Sequence, residues 1–271
     1  MKTKLVLFFL VFFFSVNAFG AKTDSLKVYS EFMRKDIPVS IITPDNYTKD
    51  RAYPVVYLLH GYSGNYTSWA DKSFAIAQYA DLYTAIFVIP DGGFSSWYFD
   101  SPVDPSCRYE TFICKELIRH IDSNYSTIPS PKGRAITGLS MGGHGALFLA
   151  FRHQDVFGAA GSMSGGVDIR PFPKNWDLSN VLGDYAEYPE NWDQHTVINQ
   201  VHLLTDNSLA IIIDCGTSDF FYKVNCALHE KLLYNNISHD FISRPGTHNE
   251  EYWRNAVKYQ LLFFNEFFSK K

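Results

Sequence analysis

Short runs of Val, Ile, Leu and Phe alternate along the chain with longer stretches in which apolar residues return every three or four positions. The short runs are typical of strands covered on both faces, and the longer stretches are typical of amphipathic helices. Strands are predicted at 39–43, 54–60, 85–89, 134–137, 158–163, 208–214 and 240–243. Helices are predicted at 109–121, 143–150, 219–234 and 251–268. This alternation predicts an α/β fold, with a mostly parallel central sheet and helices on both faces.

A binding site is expected after the predicted strands, because ligands of parallel sheets bind beyond the carboxyl ends of the strands. Three segments are the main candidates, and they follow His60, Thr137 and Asp214. The stretch 165–207 is rich in polar residues, Pro and Trp. It predicts a partly helical insertion over one rim of the sheet.

The beginning of the chain has the pattern of a signal peptide. Two lysines precede an apolar run at 5–16, and the small residues Ala18 and Gly20 suit cleavage. The run is shorter than the ~20 residues that a membrane-spanning helix needs. We predict a signal peptide at 1–20 and a single domain at 21–271. The mature protein is expected to be exported, periplasmic or secreted, without stable membrane insertion; an uncleaved N-terminal anchor is the alternative.

Net charge and cysteine content narrow the range of partners. The formal net charge is −4 and the basic residues form no cluster, which argues against a nucleic-acid partner. No spacing of Cys and His residues is typical of zinc, and we predict no metal and no organic cofactor. We expect mostly buried, unpaired thiols at all four cysteines, which are Cys107, Cys114, Cys215 and Cys226.

The segment 138–142, Gly-Leu-Ser-Met-Gly, lies between a predicted strand and a predicted helix. A serine on such a tight turn takes a strained backbone conformation, and its neighbours two positions away must lack a β-carbon. Gly138 and Gly142 meet that requirement. The turn places the serine hydroxyl above the sheet edge, where the amino end of the helix stabilises developing negative charge. Ser140 is therefore the predicted nucleophile.

A serine nucleophile needs a base, and the base needs a carboxylate that orients it. His248 is the predicted base because it lies in the loop between the last strand and the last helix. Two carboxylates are candidates: Asp214 ends a predicted strand, and Asp219 lies in the loop after it. We favour Asp219, since a loop carboxylate turns back to a histidine more easily than one on a strand. The order serine, acid, histidine is that of the α/β-hydrolases.

A developing oxyanion needs two main-chain N–H donors. One is expected from Met141, the residue after the nucleophile. The other is expected from Tyr62, in the loop that follows His60 and in which Gly61 allows a turn.

Six separated motifs follow one another along the chain: Leu-Leu-His-Gly at 58–61, Pro-Asp-Gly-Gly at 90–93, Trp-Tyr at 97–98, Gly-Leu-Ser-Met-Gly-Gly at 138–143, Cys-Gly-Thr-Ser-Asp at 215–219 and Gly-Thr-His at 246–248. With these motifs the chain resembles the putative esterase family within the α/β-hydrolases, from about residue 36 to the C-terminus. That family includes tributyrin esterases, feruloyl esterases, S-formylglutathione hydrolases and mycolyltransferases. The resemblance implies the α/β-hydrolase fold, oxyanion donors at Tyr62 and Met141, and a triad of Ser140, Asp219 and His248.

The resemblance also implies an activity, which is that of a serine carboxylesterase that forms an acyl-enzyme on Ser140. The expected substrate is a small-molecule or oligosaccharide ester, either a carbohydrate-linked acetyl or feruloyl ester or a short-chain acyl ester. Two alternatives stay open: acyl transfer to a sugar or lipid alcohol by the same triad, and a catalytically inactive glycan-binding protein. Substrate contacts are expected from residues near strand ends, which are His60, Gly61, Asp91, Trp97 and Tyr98.

Overall fold

The computed structural model describes residues 20–270, which contain an eight-stranded sheet. The strands are β1 Lys22–Ser30, β2 Lys35–Thr43, β3 Val55–Leu59, β4 Ile86–Pro90, β5 Arg134–Gly138, β6 Ala159–Met163, β7 Ala210–Gly216 and β8 Asp240–Arg244. Their order across the sheet is β1-β2-β4-β3-β5-β6-β7-β8. The pairs β1/β2 and β2/β4 are antiparallel, and every pair from β4 to β8 is parallel.

Helices connect the parallel strands, and one more follows the last strand. They are α1 Ile76–Tyr83, α2 Tyr109–Thr111, α3 Ile118–Asn124, α4 Met141–Arg152, α5 Leu178–Leu182, α6 Pro189–Gln194, α7 Tyr222–Tyr234 and α8 Glu250–Ser269. A π-helical segment, Phe112–Leu117, joins α2 to α3, so that helical backbone runs continuously over 109–124. Short 3₁₀ turns occupy Lys72–Phe74, Pro131–Gly133 and Val197–Leu203.

The inner strands are buried on both faces, and β3 shows how their side chains are divided. Val55, Tyr57 and Leu59 belong to the core on one face of the sheet, and Val56 and Leu58 belong to the core on the other. Residues of α4, α7 and the 109–124 run complete the first core, and residues of α1 and α8 complete the second. A strand between two helical layers needs no polar position, which is why β3 is a continuous apolar run.

The predicted strands and helices are all found, with ends that differ by a few residues. The insertion at 165–207 is partly helical as predicted, since it contains α5, α6 and the 197–203 turn. Two elements are not among the predictions, β1 and α1. Most side chains of β1 are exposed, because it is the edge strand of the sheet, so it has no apolar run. α1 is short and buries few of its side chains.

The structure tests the prediction for the cysteines but does not describe most of the predicted signal peptide. The predicted signal peptide lies outside the described residues except for Gly20. Within 20–270, no helix is long and apolar enough to cross a membrane. The four cysteines are unpaired, as predicted; three are buried and Cys226 is half-buried.

A buried histidine, His144, lies in α4 beneath the sheet's carboxyl edge. Its Nδ1–H donates to the main-chain oxygen of Gly166 at 2.8 Å. Its ring stacks on Phe148 and meets Trp97 and Phe99 edge to face. Burial lowers the pKa of His144 to about 4, because the charged imidazolium loses its hydration there.

We predict that His144 makes the fold less stable in mild acid. Histidine in an unfolded chain has a pKa of about 6.5. Between pH 6.5 and 4 the unfolded chain is therefore protonated at this histidine, whereas His144 in the native protein stays neutral. The free energy of unfolding should therefore fall as the pH falls through this window, by up to about 3 kcal/mol from this residue. Urea titrations at several pH values measure the slope.

The matched variant is His144→Asn, whose amide N–H can still donate to Gly166. Its free energy of unfolding should be lower than that of the parent at neutral pH, because the smaller side chain leaves a cavity. Its dependence on pH between about 6.5 and 4 should be flatter. A slope equal to that of the parent protein would contradict the assignment.

Candidate active site

Ser140 lies at the turn between β5 and α4, with φ 55° and ψ −116°. A positive φ in a residue with a β-carbon costs on the order of 1–3 kcal/mol. The turn leaves no room for side chains on either side. A β-carbon added to Gly142 would lie 2.3 Å from the main-chain oxygen of Leu59, and one added to Gly138 would lie 2.5 Å from Gly142. The predicted requirement for glycine at these two positions is confirmed.

The structure brings the three predicted triad residues into hydrogen-bond contact. The Ser140 hydroxyl lies 2.9 Å from His248 Nε2, to which it can donate. On the other side of the ring, His248 Nδ1–H donates to Asp219, with distances of 2.9 and 3.1 Å to the two carboxylate oxygens. The side chain of Asp219 is fully buried and that of His248 is 15% exposed. One imidazole tautomer satisfies both contacts.

Neighbouring parallel strands position the acid and the base. Asp219 lies in the loop after β7, and His248 lies in the loop after β8. The loops are joined by main-chain hydrogen bonds, since Thr217 N–H donates to Arg244 and Ser218 N–H donates to Gly246. The two strands end at the same edge of the sheet, so their loops meet directly above it.

The structure decides between the two candidate acids. Asp214, inside β7, does not reach His248; it accepts hydrogen bonds from Tyr252 Oη at 2.5 Å and from the guanidinium of Arg244. Burial raises the pKa of Asp214, and both of its donors oppose that rise. Asp219 is therefore the carboxylate that can orient His248.

The two predicted oxyanion donors border the serine. Among the described residues, neither Met141 N–H nor Tyr62 N–H has a hydrogen-bond acceptor. Met141 is the first residue of α4, at the positive end of the helix dipole. The Tyr62 loop lies against the serine, since a β-carbon added to Gly61 would come within 3.5 Å of Ser140 Cβ. Both N–H groups are therefore free to bind an oxyanion.

A cavity of about 540 Å³ opens at Ser140. Gly61, Tyr62 and Leu139 line it beside the serine, and Asp71 and Glu250 are its acidic residues. No Lys or Arg in the described part of the chain lines it. Its larger apolar walls are aromatic: Phe74, Trp176, Phe220 and Trp253. The cavity thus combines flat apolar surface with negative charge.

Two aromatic side chains contact the imidazole of His248, one from the loop before α7 and one from the first turn of α8. The ring centroid of Phe220 lies 4.2 Å from that of His248, and Trp253 meets the imidazole edge to face at 4.9 Å. Phe220 also stacks on Trp176, which comes from the insertion. These contacts restrict the rotation of the imidazole, so it stays between the serine and the acid.

Of the five expected substrate contacts, only Gly61 lines the cavity. His60 is fully buried; its Nδ1–H donates to Gly61 and its Nε2 accepts from Gly92 N–H at 2.7 Å. Burial lowers the pKa of His60, which favours this neutral form. Asp91 accepts a hydrogen bond from Gly93 N–H, two residues further along the same loop. His60 and Asp91 do not line the cavity: the His60 ring joins two loops, and the Asp91 carboxylate closes a turn within its own loop.

Trp97 and Tyr98 do not line the cavity either. Trp97 is 1% exposed and donates from Nε1 to the main-chain oxygen of Trp176. Tyr98 has no exposed surface, and its hydroxyl donates to the main-chain oxygen of His60. Both lie behind the cavity wall and support it.

The sequence analysis missed several residues that line the cavity. Phe220 directly follows the acid, and Trp253 opens the last helix, so their neighbours in the sequence could have indicated them. Asp71 and Trp176 carry no such signal. They lie in loops far from any motif and reach the cavity only through the fold.

Comparison with known proteins assigns the family. The family model described as "Putative esterase" matches residues 30–264. The chain belongs to this esterase family. An esterase of Mycobacterium tuberculosis is 38% identical over 139 residues, which are 49% of this chain and 30% of that protein. The diacylglycerol acyltransferase/mycolyltransferase Ag85B of Mycobacterium leprae is 32% identical over 179 residues, which are 62% of this chain and 52% of that protein.

Solved structures show the fold of this esterase family member. A ferulic acid esterase superposes with a TM-score of 0.80 at 27% identity, covering 93% of this chain and 100% of the other. The fluorophosphonate-binding serine hydrolase F of Staphylococcus aureus also superposes with a TM-score of 0.80, at 20% identity, covering 91% of this chain and 99% of the other. Together with the sheet order, they show the α/β-hydrolase fold.

We predict that the strain at Ser140 can be measured by comparing two variants that both lack the hydroxyl. Ser140→Ala keeps a β-carbon at φ 55°, and Ser140→Gly removes it. The glycine variant should be the more stable by about 1 kcal/mol, even though glycine loses more conformational entropy on folding. Denaturant unfolding at neutral pH gives the difference, and a more stable alanine variant would argue against strain.

Proposed function

We propose that this esterase family member is a serine carboxylesterase that hydrolyses acyl esters through an acyl-enzyme on Ser140. The observation that carries the proposal is the hydrogen-bonded line from the Ser140 hydroxyl through His248 to Asp219. A serine alone is a weak nucleophile, and this line provides the base that removes its proton.

In the first half of the reaction, Ser140 Oγ attacks the ester carbonyl carbon while its proton passes to His248 Nε2. The carbonyl oxygen becomes an oxyanion and is bound by Tyr62 N–H and Met141 N–H. When the tetrahedral intermediate collapses, the bond to the alcohol oxygen breaks and His248 returns the proton to that oxygen. Asp219 stabilises the imidazolium between the two transfers.

In the second half, water takes the place of the alcohol. His248 removes a proton from the water, and the resulting hydroxide attacks the acyl carbon. The bond to Ser140 Oγ breaks, His248 protonates the serine oxygen, and a carboxylic acid leaves. Each step uses only main-chain donors and the three side chains, and no cofactor enters it.

The substrate that we propose is a carbohydrate-linked acetyl or feruloyl ester or a short-chain acyl ester. Trp176, Phe220 and Trp253 provide flat apolar surface beside Ser140 on which a planar acyl group or a sugar ring can lie. The likeness to a ferulic acid esterase over most of the chain supports the same substrate class. We further propose export, on the basis of the signal-peptide pattern at 1–20.

Acyl transfer is the second candidate function. The similarity to the mycolyltransferase of Mycobacterium leprae favours it, and the same triad would serve with a sugar or lipid alcohol in place of water. A glycan-binding protein without catalysis is the third. The acyl group ends on water in hydrolysis and on an alcohol in transfer, and it stays in place if the protein only binds glycans.

We predict that Ser140→Ala abolishes both turnover of p-nitrophenyl butyrate and labelling by a fluorophosphonate probe. The rate should fall by about 10⁴-fold or more, because the nucleophile is lost while the fold remains. Circular dichroism of the variant should match that of the parent protein. A parent protein that neither reacts with the probe nor turns over the ester would leave only the glycan-binding alternative.

Hydrolysis and transfer are separated by adding an acceptor. With methyl ferulate as donor and glucose or trehalose as acceptor, free ferulic acid should remain the main product. A new sugar ester as the main product, detected by mass spectrometry, would favour the transferase.

We predict that the cavity discriminates against anionic esters. Asp71 and Glu250 both line it, and hydrogen bonding from Ser73 N–H lowers the pKa of Asp71, so that it is ionised at neutral pH. Arg254, 3.8 Å from Glu250, offsets part of this charge. We expect kcat/KM for p-nitrophenyl succinate to be about tenfold below that for the butyrate at low salt.

The control is the ratio of the two rates in the variant that combines Asp71→Asn with Glu250→Gln. The ratio should approach one in that variant, and it should also approach one for the parent protein in high salt. A ratio that neither the substitutions nor salt changes would show that the carboxylates do not set this preference.

The same negative charge of the cavity opposes binding of S-formylglutathione, whose glutathione part is anionic.

A further inference from the structure

Asp214 is a buried carboxylate that the proposed reaction does not use. Its side chain has no exposed surface. One carboxylate oxygen accepts a hydrogen bond from the Tyr252 hydroxyl at 2.5 Å. The other oxygen is paired with the guanidinium of Arg244. A buried charge is costly unless it is paired and hydrogen-bonded, and here both oxygens are satisfied.

The two partners of Asp214 flank the segment that carries His248. Arg244 is the last residue of β8, and Tyr252 lies in the first turn of α8. The seven intervening residues, 245–251, make the connection that contains the imidazole. One carboxylate on the neighbouring strand β7 thus binds both ends of this connection.

The two ends of the 245–251 connection are closely packed, which restricts its movement. A β-carbon added to Gly246 would lie 2.1 Å from the Tyr252 ring, and one added to Gly216 would lie 2.5 Å from the main-chain oxygen of Gly246. The Tyr252 ring is therefore pressed against the backbone two residues before His248. A shift of this ring would therefore displace the backbone of Gly246, two residues before His248.

We propose that Asp214 is a positioning residue for His248: through Arg244 and Tyr252 it holds both ends of the 245–251 connection, and so fixes the imidazole between Ser140 and Asp219. The inference rests on the proposed function, in which His248 is the base. It assigns separate tasks to two carboxylates of the same strand–loop segment. Asp219 orients the ring by direct contact, and Asp214 orients the loop that carries the ring.

The decisive variant is Tyr252→Phe, which removes the hydrogen bond to Asp214 and keeps an aromatic ring, now no longer held by the carboxylate. We expect kcat for p-nitrophenyl butyrate to fall about tenfold, with KM changed by less than about twofold, because a small displacement of a base slows proton transfer more than binding. Fluorophosphonate labelling of Ser140 should slow in the same proportion.

The matched control is Tyr259→Phe. Tyr259 lies on the same helix and its ring contacts the same guanidinium, that of Arg244, but it does not touch Asp214. We expect kcat, KM and the rate of fluorophosphonate labelling to be unchanged in this variant. A second test variant, Asp214→Asn, removes the charge and should lower kcat further; if it does not fold, Tyr252→Phe alone decides.

The outcomes separate this inference from the proposed function. If Tyr252→Phe melts at a lower temperature but keeps the kcat, the KM and the labelling rate of the parent protein per folded molecule, Asp214 is purely structural and the inference is overturned. If the parent protein shows no labelling at Ser140, the proposed function itself fails. Parent activity, together with a lower kcat and slower labelling in Tyr252→Phe, supports both.

Discussion

The backbone conformation of Ser140 is the constraint on which the rest of the candidate site depends. A non-glycine residue at φ 55° persists only where its surroundings allow no other path for the chain. Here β3 supplies those surroundings, since the main-chain oxygen of Leu59 lies where a β-carbon of Gly142 would be. The turn in return aims the hydroxyl at His248 and leaves Met141 N–H at the free end of a helix. Strain, nucleophile and oxyanion donor are thus consequences of one turn.

The base and the acid depend on a second constraint, the parallel pairing of β7 with β8. Because both strands end at one edge, the loops that follow them share main-chain hydrogen bonds and place Asp219 and His248 in contact. Asp214, within β7, binds Arg244 and Tyr252 at the two ends of the connection that carries His248. The catalytic geometry that we propose is therefore built by backbone pairing and one buried ion pair, and the aromatic rings of Phe220 and Trp253 complete it around the imidazole.

The sequence alone was enough to predict the elements whose patterns are local. A strand buried on both faces is a continuous apolar run, and a nucleophile turn needs glycine on both sides, so β3 and Ser140 were both recognisable. His248 and Met141 followed from their order in the chain. β1 escaped because an edge strand exposes most of its side chains and so has no apolar run. The family and the α/β-hydrolase fold could both be inferred from the motifs and their order.

Only the tertiary structure decided what each motif side chain does, because that depends on neighbours far away in the chain. His60, Trp97 and Tyr98 belong to motifs at strand ends, yet packing buries all three behind the cavity. Asp71 and Trp176 belong to no motif, yet the fold brings them to Ser140. Order along the chain identified the nucleophile and base and favoured one of two acids, since those positions follow from strand succession. The direction, burial and mutual distances of the side chains come from packing. Packing also pairs Asp219 with His248 and Asp214 with Arg244.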